Sequence, residues 1–314
     1  MEKNSKILIL GSKGLLGSAV RRILLKKGYE NILSPGRNKL NLLNKKELDL
    51  FLEKEKPDYI FMVAGLVGGI LGNKNHAADF LYENSIMILN LLESVKNKIP
   101  NSKILYTGST CIYPRESPQP INENSLLTGK LEETNKGYAL AKILGIVGCE
   151  LYGDQYGLNA ICAMPTNLYG PGDTYDLENG HMIPSLIKKF LMAKKKKEKK
   201  VFLWGTGNPL REALYSEDCA DALIYLMKNY SSKNIVNIGT GFDYSIEEFA
   251  EAIKNELGWE GEIVWDKTKP EGVFEKKTDI SRLKSIYPNF SPRNFKEGLK
   301  NILNNPDEVK KILG

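Results

Sequence analysis

Ile7-Leu8-Ile9-Leu10-Gly11-Ser12-Lys13-Gly14-Leu15-Leu16-Gly17 is the stretch whose reading decides the fold of this 314-residue chain. Four consecutive apolar residues before a glycine are too short for a buried helix and read as a strand covered on both faces. Gly11, Gly14 and Gly17 follow, and an amphipathic helical pattern runs on to about residue 27. Glycines between a strand and a helix let the backbone turn tightly, approach a pyrophosphate and pack the helix down on the strand. The spacing is G-x-x-G-x-x-G rather than G-x-G-x-x-G. On these residues alone, a glycine-rich turn that holds no ligand remains the competing reading.

The rhythm continues outward from this turn. Segments 31–33, 59–63, 103–106 and 159–163 read as strands, and helical patterns lie near 15–27, 45–55, 78–97 and 137–155. Strands alternating with helices predict an α/β fold, a doubly wound parallel sheet of the Rossmann type. Past residue 181 the pattern loosens into a helix, a strand at 201–204 and helices near 217–229, 246–257 and 295–304. The expectation is a dinucleotide-binding domain over 1–180, to which later segments are free to return, and a smaller mixed substrate domain over 181–314.

Composition narrows the class. Ordinary apolar and charged contents of 42% and 26% exclude a disordered or fibrous chain. The net charge of +6 owes much to the run Lys194-Lys195-Lys196-Lys197-Glu198-Lys199-Lys200. Without an aromatic stacking platform or a recognition-helix motif, that run reads as solvated surface, and no nucleic-acid partner is expected. A mildly basic enzyme acting on an anionic substrate fits better. Cys111, Cys149, Cys162 and Cys219 have neither zinc-site nor disulfide spacing, so no metal is expected and a reducing, cytoplasmic setting is. No signal-peptide pattern and no stretch of membrane-spanning length is visible.

Cofactor choice is read at the end of the second strand. Dinucleotides without a 2′-phosphate are usually met there by an acid about twenty residues beyond the turn. Here Ser34-Pro35-Gly36-Arg37 offers a guanidinium instead. Arg37, helped by Lys13, is suited to a 2′-phosphate, which favours NADP(H) over NAD(H). The alternative is a solvated surface arginine.

Tyr138-Ala139-Leu140-Ala141-Lys142 puts a phenol and an ammonium one helical turn apart on one face. Hydride transfer to a ketone needs a proton donor at the oxygen, and a nearby ammonium would lower the phenol's pKa toward working pH. Tyr138 is the expected acid and Lys142 its tuner. Thr107-Gly108-Ser109-Thr110-Cys111 follows the fourth strand, where Ser109, or Thr110 as its rival, is placed to bind the substrate oxygen. Either hydroxyl is also apt simply to cap the strand-to-loop transition.

These residues together resemble the extended short-chain dehydrogenase/reductases. Gly108-Ser109-Thr110-Cys111-Ile112-Tyr113-Pro114, Leu126-Leu127-Thr128-Gly129 and Met164-Pro165-Thr166-Asn167-Leu168-Tyr169-Gly170-Pro171 look like the GDP-L-fucose synthase group within them, over about residues 6 to 280. The resemblance implies a homodimer that takes a GDP-linked 4-keto-6-deoxy sugar, epimerises C3 and C5, and reduces C4 with NADPH. By motif, Ser109, Tyr138 and Lys142 would serve the reduction, and Cys111 with His181 the epimerisation. Cofactor contacts would come from Gly11, Lys13, Gly14, Leu15, Leu16, Gly17 and Arg37, then from Thr107, Lys142, Pro165, Asn167, Leu168 and His181. The substrate would meet Thr110, Asn167, Lys189, Trp204, Arg211 and Glu271. Taken without the family, Cys111 reads as a small buried apolar residue and His181 as a helix-start histidine.

The likeness thins around the sugar. Gly65-Leu66 precedes Val67-Gly68-Gly69-Ile70 where the family has a lysine, Gly180 stands for a serine, Ala213 for a bulky aromatic and Glu271 for an aspartate. Gly180 and Ala213 suggest a larger pocket, and with it an alternative substrate: a GDP-4-keto-heptose of bacterial surface-polysaccharide synthesis, with epimerisation delegated to another enzyme. A same-scaffold epimerase or dehydratase would show no net NADPH oxidation, and a non-catalytic NADP sensor would have lost Tyr138 or Lys142.

Overall fold

The computed structural model describes residues 1–177, 180–269 and 273–314. The chain runs β1 (Ile7–Leu10), α1 (Leu15–Lys26), β2 (Ile32–Leu33), α2 (Lys45–Glu55), β3 (Tyr59–Met62), α3 (Ile70–Asn75), α4 (Ala77–Lys98) and β4 (Lys103–Thr107). It continues through α5 (Lys136–Tyr156), β5 (Ala160–Pro165), β6 (Asn167–Tyr169), α6 (Met182–Lys196), β7 (Lys200–Trp204), β8 (Leu210–Tyr215) and α7 (Ser216–Asn229). The last elements are β9 (Val236–Ile238), β10 (Asp243–Ser245), α8 (Ile246–Leu257), β11 (Glu262–Asp266), α9 (Ser281–Ile286), α10 (Phe295–Leu303) and α11 (Pro306–Leu313).

Six parallel strands in the order β2-β1-β3-β4-β5-β9 form the central sheet. Alternate residues of each strand feed opposite faces. Leu8, Leu10, Ile60, Met62, Ile104 and Tyr106 pack with Leu48, Leu52, Ile88, Leu91 and Ile143 on one side. Ile7, Ile9, Phe61 and Leu105 pack with Val20, Leu24, Leu223 and Leu283 on the other. Burial on both faces is why these strands read as unbroken apolar runs. Segments α7, β9 and α9 thus belong to the central sheet and its layers although they come late in the chain.

A third core joins Phe190, Leu203, Tyr215, Phe249 and Leu299 beneath α6, α8, α10 and α11. It lies against two small sheets, β10-β8-β6 and β11-β7. The order of the large sheet reverses at β1, so a crevice opens between the carboxyl ends of β1 and β3, where open α/β sheets bind ligands.

Candidate active site

The glycine turn sits at that crevice. Gly11 has φ +94°, and a Cβ there would stand 2.7 Å from the Ala64 backbone. At Gly17 a Cβ would approach the Gly11 carbonyl oxygen to 2.1 Å. Side chains at either place would push α1 off β1 and fill the cradle. Gly14 is the N-cap of α1 and has no side-chain cap, which leaves the first N–H groups of the helix to a ligand.

Beyond the turn is a cavity of about 290 Å³ lined by Gly11, Lys13, Gly14, Gly36, Arg37, Leu42, Ala64, Glu83 and Met87, among others. Its apolar patch and glycine cradle fit a dinucleotide. Lys13 reaches over Gly36, where an added Cβ would meet the lysine Cε at 2.9 Å. Two cations therefore flank residue 36. Arg37 also forms an ion pair with Glu83 of α4 at 3.3 Å, a partner that the local sequence did not suggest.

The hydroxyl group of Ser109, at the N-cap of a short 3-10 turn after β4, accepts the Cys111 N–H at 3.2 Å. It also hydrogen-bonds the phenol of Tyr138 on α5. Burial first, and then Cys111, push that phenol above its ordinary pKa, while the Ser109 bond pulls it down; the lowering expected from the Lys142 ammonium is not found, because burial outweighs it. Thr110 is buried in the turn. Lys142, one turn beyond Tyr138, donates to the Thr107 carbonyl at 2.8 Å, and burial lowers its pKa to about 8. The ammonium is thus tied to the end of β4 and lies 5.8 Å from the Tyr138 ring centre.

Cys111 is half-buried. Burial pushes its thiol up, but the Lys276 ammonium, with further help from Ser109 and Arg211, carries it below the ordinary value. His181 is the N-cap of α6 and makes no side-chain cap bond. Solvent reaches the ring, yet the protein crowded around it disfavours the imidazolium and lowers its pKa. Asn167, at the start of β6, donates to the Glu212 carbonyl at 3.3 Å. Pro165 ends β5 beside it, and Leu168 packs partly buried on the α1 side of the sheet.

Around the far end, Lys189 of α6 donates to the Phe202 carbonyl at 3.2 Å, and burial lowers its pKa. Trp204 closes β7 with 56% of its surface exposed. Arg211 of β8 donates to the carbonyls of Leu210 at 2.7 Å and Phe274 at 3.4 Å. Glu271 lies outside the described residues.

Two expectations about pocket size change. A Cβ on Gly180 would meet the Asp176 carbonyl oxygen at 2.2 Å, so glycine there closes a tight loop and opens no room. Ala213 lines a cavity of about 380 Å³ bounded by Phe242, Tyr244, Arg293 and Phe295, whose wall includes none of Ser109, Cys111, Tyr138 or His181.

Sequence reasoning passed over Glu83, Lys276 and Glu212. Glu212 is fully buried and accepts from the N–H groups of Thr240 at 2.6 Å, Gly241 at 2.7 Å and Thr278 at 2.9 Å. Its position directly after Arg211 was the available signal, since a carboxylate inside a strand is costly unless it is fully bonded.

A βαβ sheet with a glycine cradle at its switch point and a serine-tyrosine-lysine group beside it defines a dinucleotide-dependent enzyme of the short-chain type. The chain belongs to the NAD dependent epimerase/dehydratase family, whose model matches residues 7–239. A GDP-L-fucose synthase of Sinorhizobium fredii is 47% identical over 90% of this chain and 89% of its own length. Among solved structures, a GDP-6-OMe-4-keto-L-xylo-heptose reductase from C. jejuni superposes with a TM-score of 0.89 at 32% identity, covering 97% of this chain and 98% of its own. A GDP-mannoheptose C4 reductase from Campylobacter jejuni, solved with NADP bound, gives 0.87 at 34% identity over 97% and 98%.

Proposed function

We propose that this enzyme reduces the C4 ketone of a GDP-linked 4-keto sugar with NADPH. The observation that carries this reading is the Ser109–Tyr138–Lys142 group, whose Lys142 ammonium lies 3.5 Å from where a Cβ would stand on Gly65 in the wall of the glycine-lined crevice. NADP(H), when bound, supplies the hydride. Tyr138 donates its proton to the ketone oxygen as the carbon is reduced, and its raised pKa keeps that proton in place until then. Ser109 orients the oxygen, and Lys142 is held beside the phenol by its bond to the Thr107 carbonyl. Arg37 and Lys13 are the groups suited to the 2′-phosphate, for which Arg37 would exchange Glu83. Lys189 and Arg211 suit a diphosphate and the exposed Trp204 face a purine base.

Cys111 and His181 are proposed to epimerise the carbons flanking the ketone, whose hydrogens the carbonyl makes acidic. The Cys111 thiol, already lowered by its cationic neighbours, is the base of that pair. The likeness to heptose reductases makes a heptose the second substrate to be tested beside the 6-deoxyhexose.

The decisive experiment supplies NADPH with the GDP-4-keto-6-deoxyhexose or the heptose in D2O and identifies products by NMR. Oxidation of NADPH with a new C4 alcohol is expected, together with deuterium at C3 and C5. No oxidation with either sugar would overturn the reading. Tyr138→Phe should abolish oxidation and leave cofactor affinity nearly intact.

A second copy of the chain is the proposed partner. Leu140, Leu144, Val147 and Leu151 recur at helical spacing along α5 and show apolar surface to solvent. Tyr82, Ile86 and Leu89 do the same on α4, which packs beside it. Paired stripes of this kind suit a helical interface between two subunits.

A further inference from the structure

Glu212 is a fully buried acid inside β8, and its carboxylate gathers two segments that lie far from it in the chain. One oxygen accepts the N–H groups of Thr240 and Gly241, at 2.6 and 2.7 Å, and the Thr240 hydroxyl at 3.2 Å. These two residues follow β9 of the large sheet. The other oxygen accepts the N–H and the hydroxyl of Thr278, at 2.9 and 2.6 Å. Gly239 keeps the space for this clamp: a Cβ there would stand 2.2 Å from the Thr278 hydroxyl oxygen and 2.3 Å from the Glu212 carboxylate. Burying a carboxylate is costly even when it is fully bonded, and apolar groups of the same shape serve stability as well. The use of Glu212 lies in what it aligns. Asn167 of β6 donates its amide to the Glu212 carbonyl at 3.3 Å. Arg211, the preceding residue, donates to the Phe274 carbonyl at 3.4 Å, and the Leu210 N–H donates to the same carbonyl at 2.7 Å. Segment 274–278 is thus tied to β8 at both ends, through Phe274 at one and through Thr278 at the other.

We propose that Glu212 is a positioning residue for the substrate diphosphate, acting through Arg211: it clamps segment 274–278 against β8 and so fixes the Phe274 carbonyl to which the guanidinium donates. Fully buried, Glu212 meets no ligand itself. A glutamine amide offers one acceptor oxygen where the carboxylate offers two, so one side of the clamp loses its acceptor in that variant. The use made of Arg211 rests on its assignment to the diphosphate in the proposed function; the clamp itself does not.

The test titrates the whole chain with GDP alone in a calorimeter, and with NADPH in parallel. Glu212→Gln should weaken GDP binding about tenfold and leave NADPH binding unchanged. Arg211→Gln weakens GDP binding by itself, and in that background Glu212→Gln should add little, because a residue that acts through Arg211 then has nothing left to position. Unchanged GDP affinity in Glu212→Gln would overturn the proposal. Equal losses for GDP and NADPH, or fully additive losses in the double variant, would show a general structural role and overturn it as well. If the glutamine variant does not fold, Thr278→Val removes one bond of the clamp and should weaken GDP selectively, with Thr278→Ser restoring it; no loss in the valine variant overturns the proposal. A wild-type protein that binds no GDP would overturn the diphosphate assignment itself, and with it this use of Glu212.

Discussion

At the scale of single residues, the ionisation of Tyr138 and Lys142 is set by burial more than by neighbouring charge. Burial lowers Lys142 to about 8 and holds Tyr138 above the ordinary phenol value. The sign follows directly. The ammonium is present below its pKa and is lost as pH rises through it, whereas the phenol stays protonated over the same range. Reduction should therefore decline on the alkaline side with an apparent pKa near 8, measured as kcat/KM for NADPH oxidation; a profile flat to pH 10 would refute this. The Arg37–Glu83 pair leads to a second residue-level expectation. Charge-assisted bonds to a 2′-phosphate are worth about 1.5–3 kcal/mol, so Arg37→Ala should lower the preference for NADPH over NADH by about ten- to a hundredfold. Glu83→Gln releases the guanidinium and should tighten NADPH binding, measurable by titration calorimetry. The glycines, Arg37, Tyr138 and Lys142 were legible in the sequence because each stands at a fixed offset from a strand or lies one turn from its partner. Glu83 was not, because its partner is brought to it only by folding.

Among the elements, the turn Gly170–Asp173 after β6 is tied to α11 by the buried Glu308 and by Lys311. Gly172 donates its N–H to Glu308 at 2.9 Å, and Lys311 donates to the Asp173 carbonyl at 2.9 Å. Burial raises Asp173 to about 7. A carboxyl whose folded pKa exceeds its unfolded value stabilises the fold while protonated, and that contribution is lost as pH rises through 7. Each pH unit between the two values is worth about 1.4 kcal/mol. Asp173→Asn should accordingly raise the melting temperature most at pH 8, less at pH 5 and little below pH 4; a gain of equal size at all three would argue against this role. The helices around the loop were predictable from periodicity. The clamp was not, since Asp173 and Glu308 look like ordinary solvated acids in the chain. Gly180 shows the same limit: read alone it promised a wider pocket, while in the fold its missing side chain makes room for the Asp176 carbonyl.

Across the whole molecule, the exposed apolar stripes of α4 and α5 are the surfaces on which the proposed pairing of two chains is to be tested. Leu89→Glu combined with Leu151→Glu should halve the mass seen by light scattering, and an unchanged mass would remove these helices from the interface. Among the described residues, no helix is long and apolar enough to cross a membrane. The sequence by itself determined the parallel sheet, the glycine turn and the one-turn spacing of Tyr138 and Lys142, because strand runs, glycine spacing and a tyrosine-lysine offset are local patterns dictated by local geometry. Only the tertiary structure decided that Glu83 holds Arg37, that Ser109 rather than Thr110 meets the phenol, and that Glu212 ties Thr278 to β8. Those contacts join segments far apart in the chain, where electrostatics and packing act through space and leave no periodic trace in the order of residues.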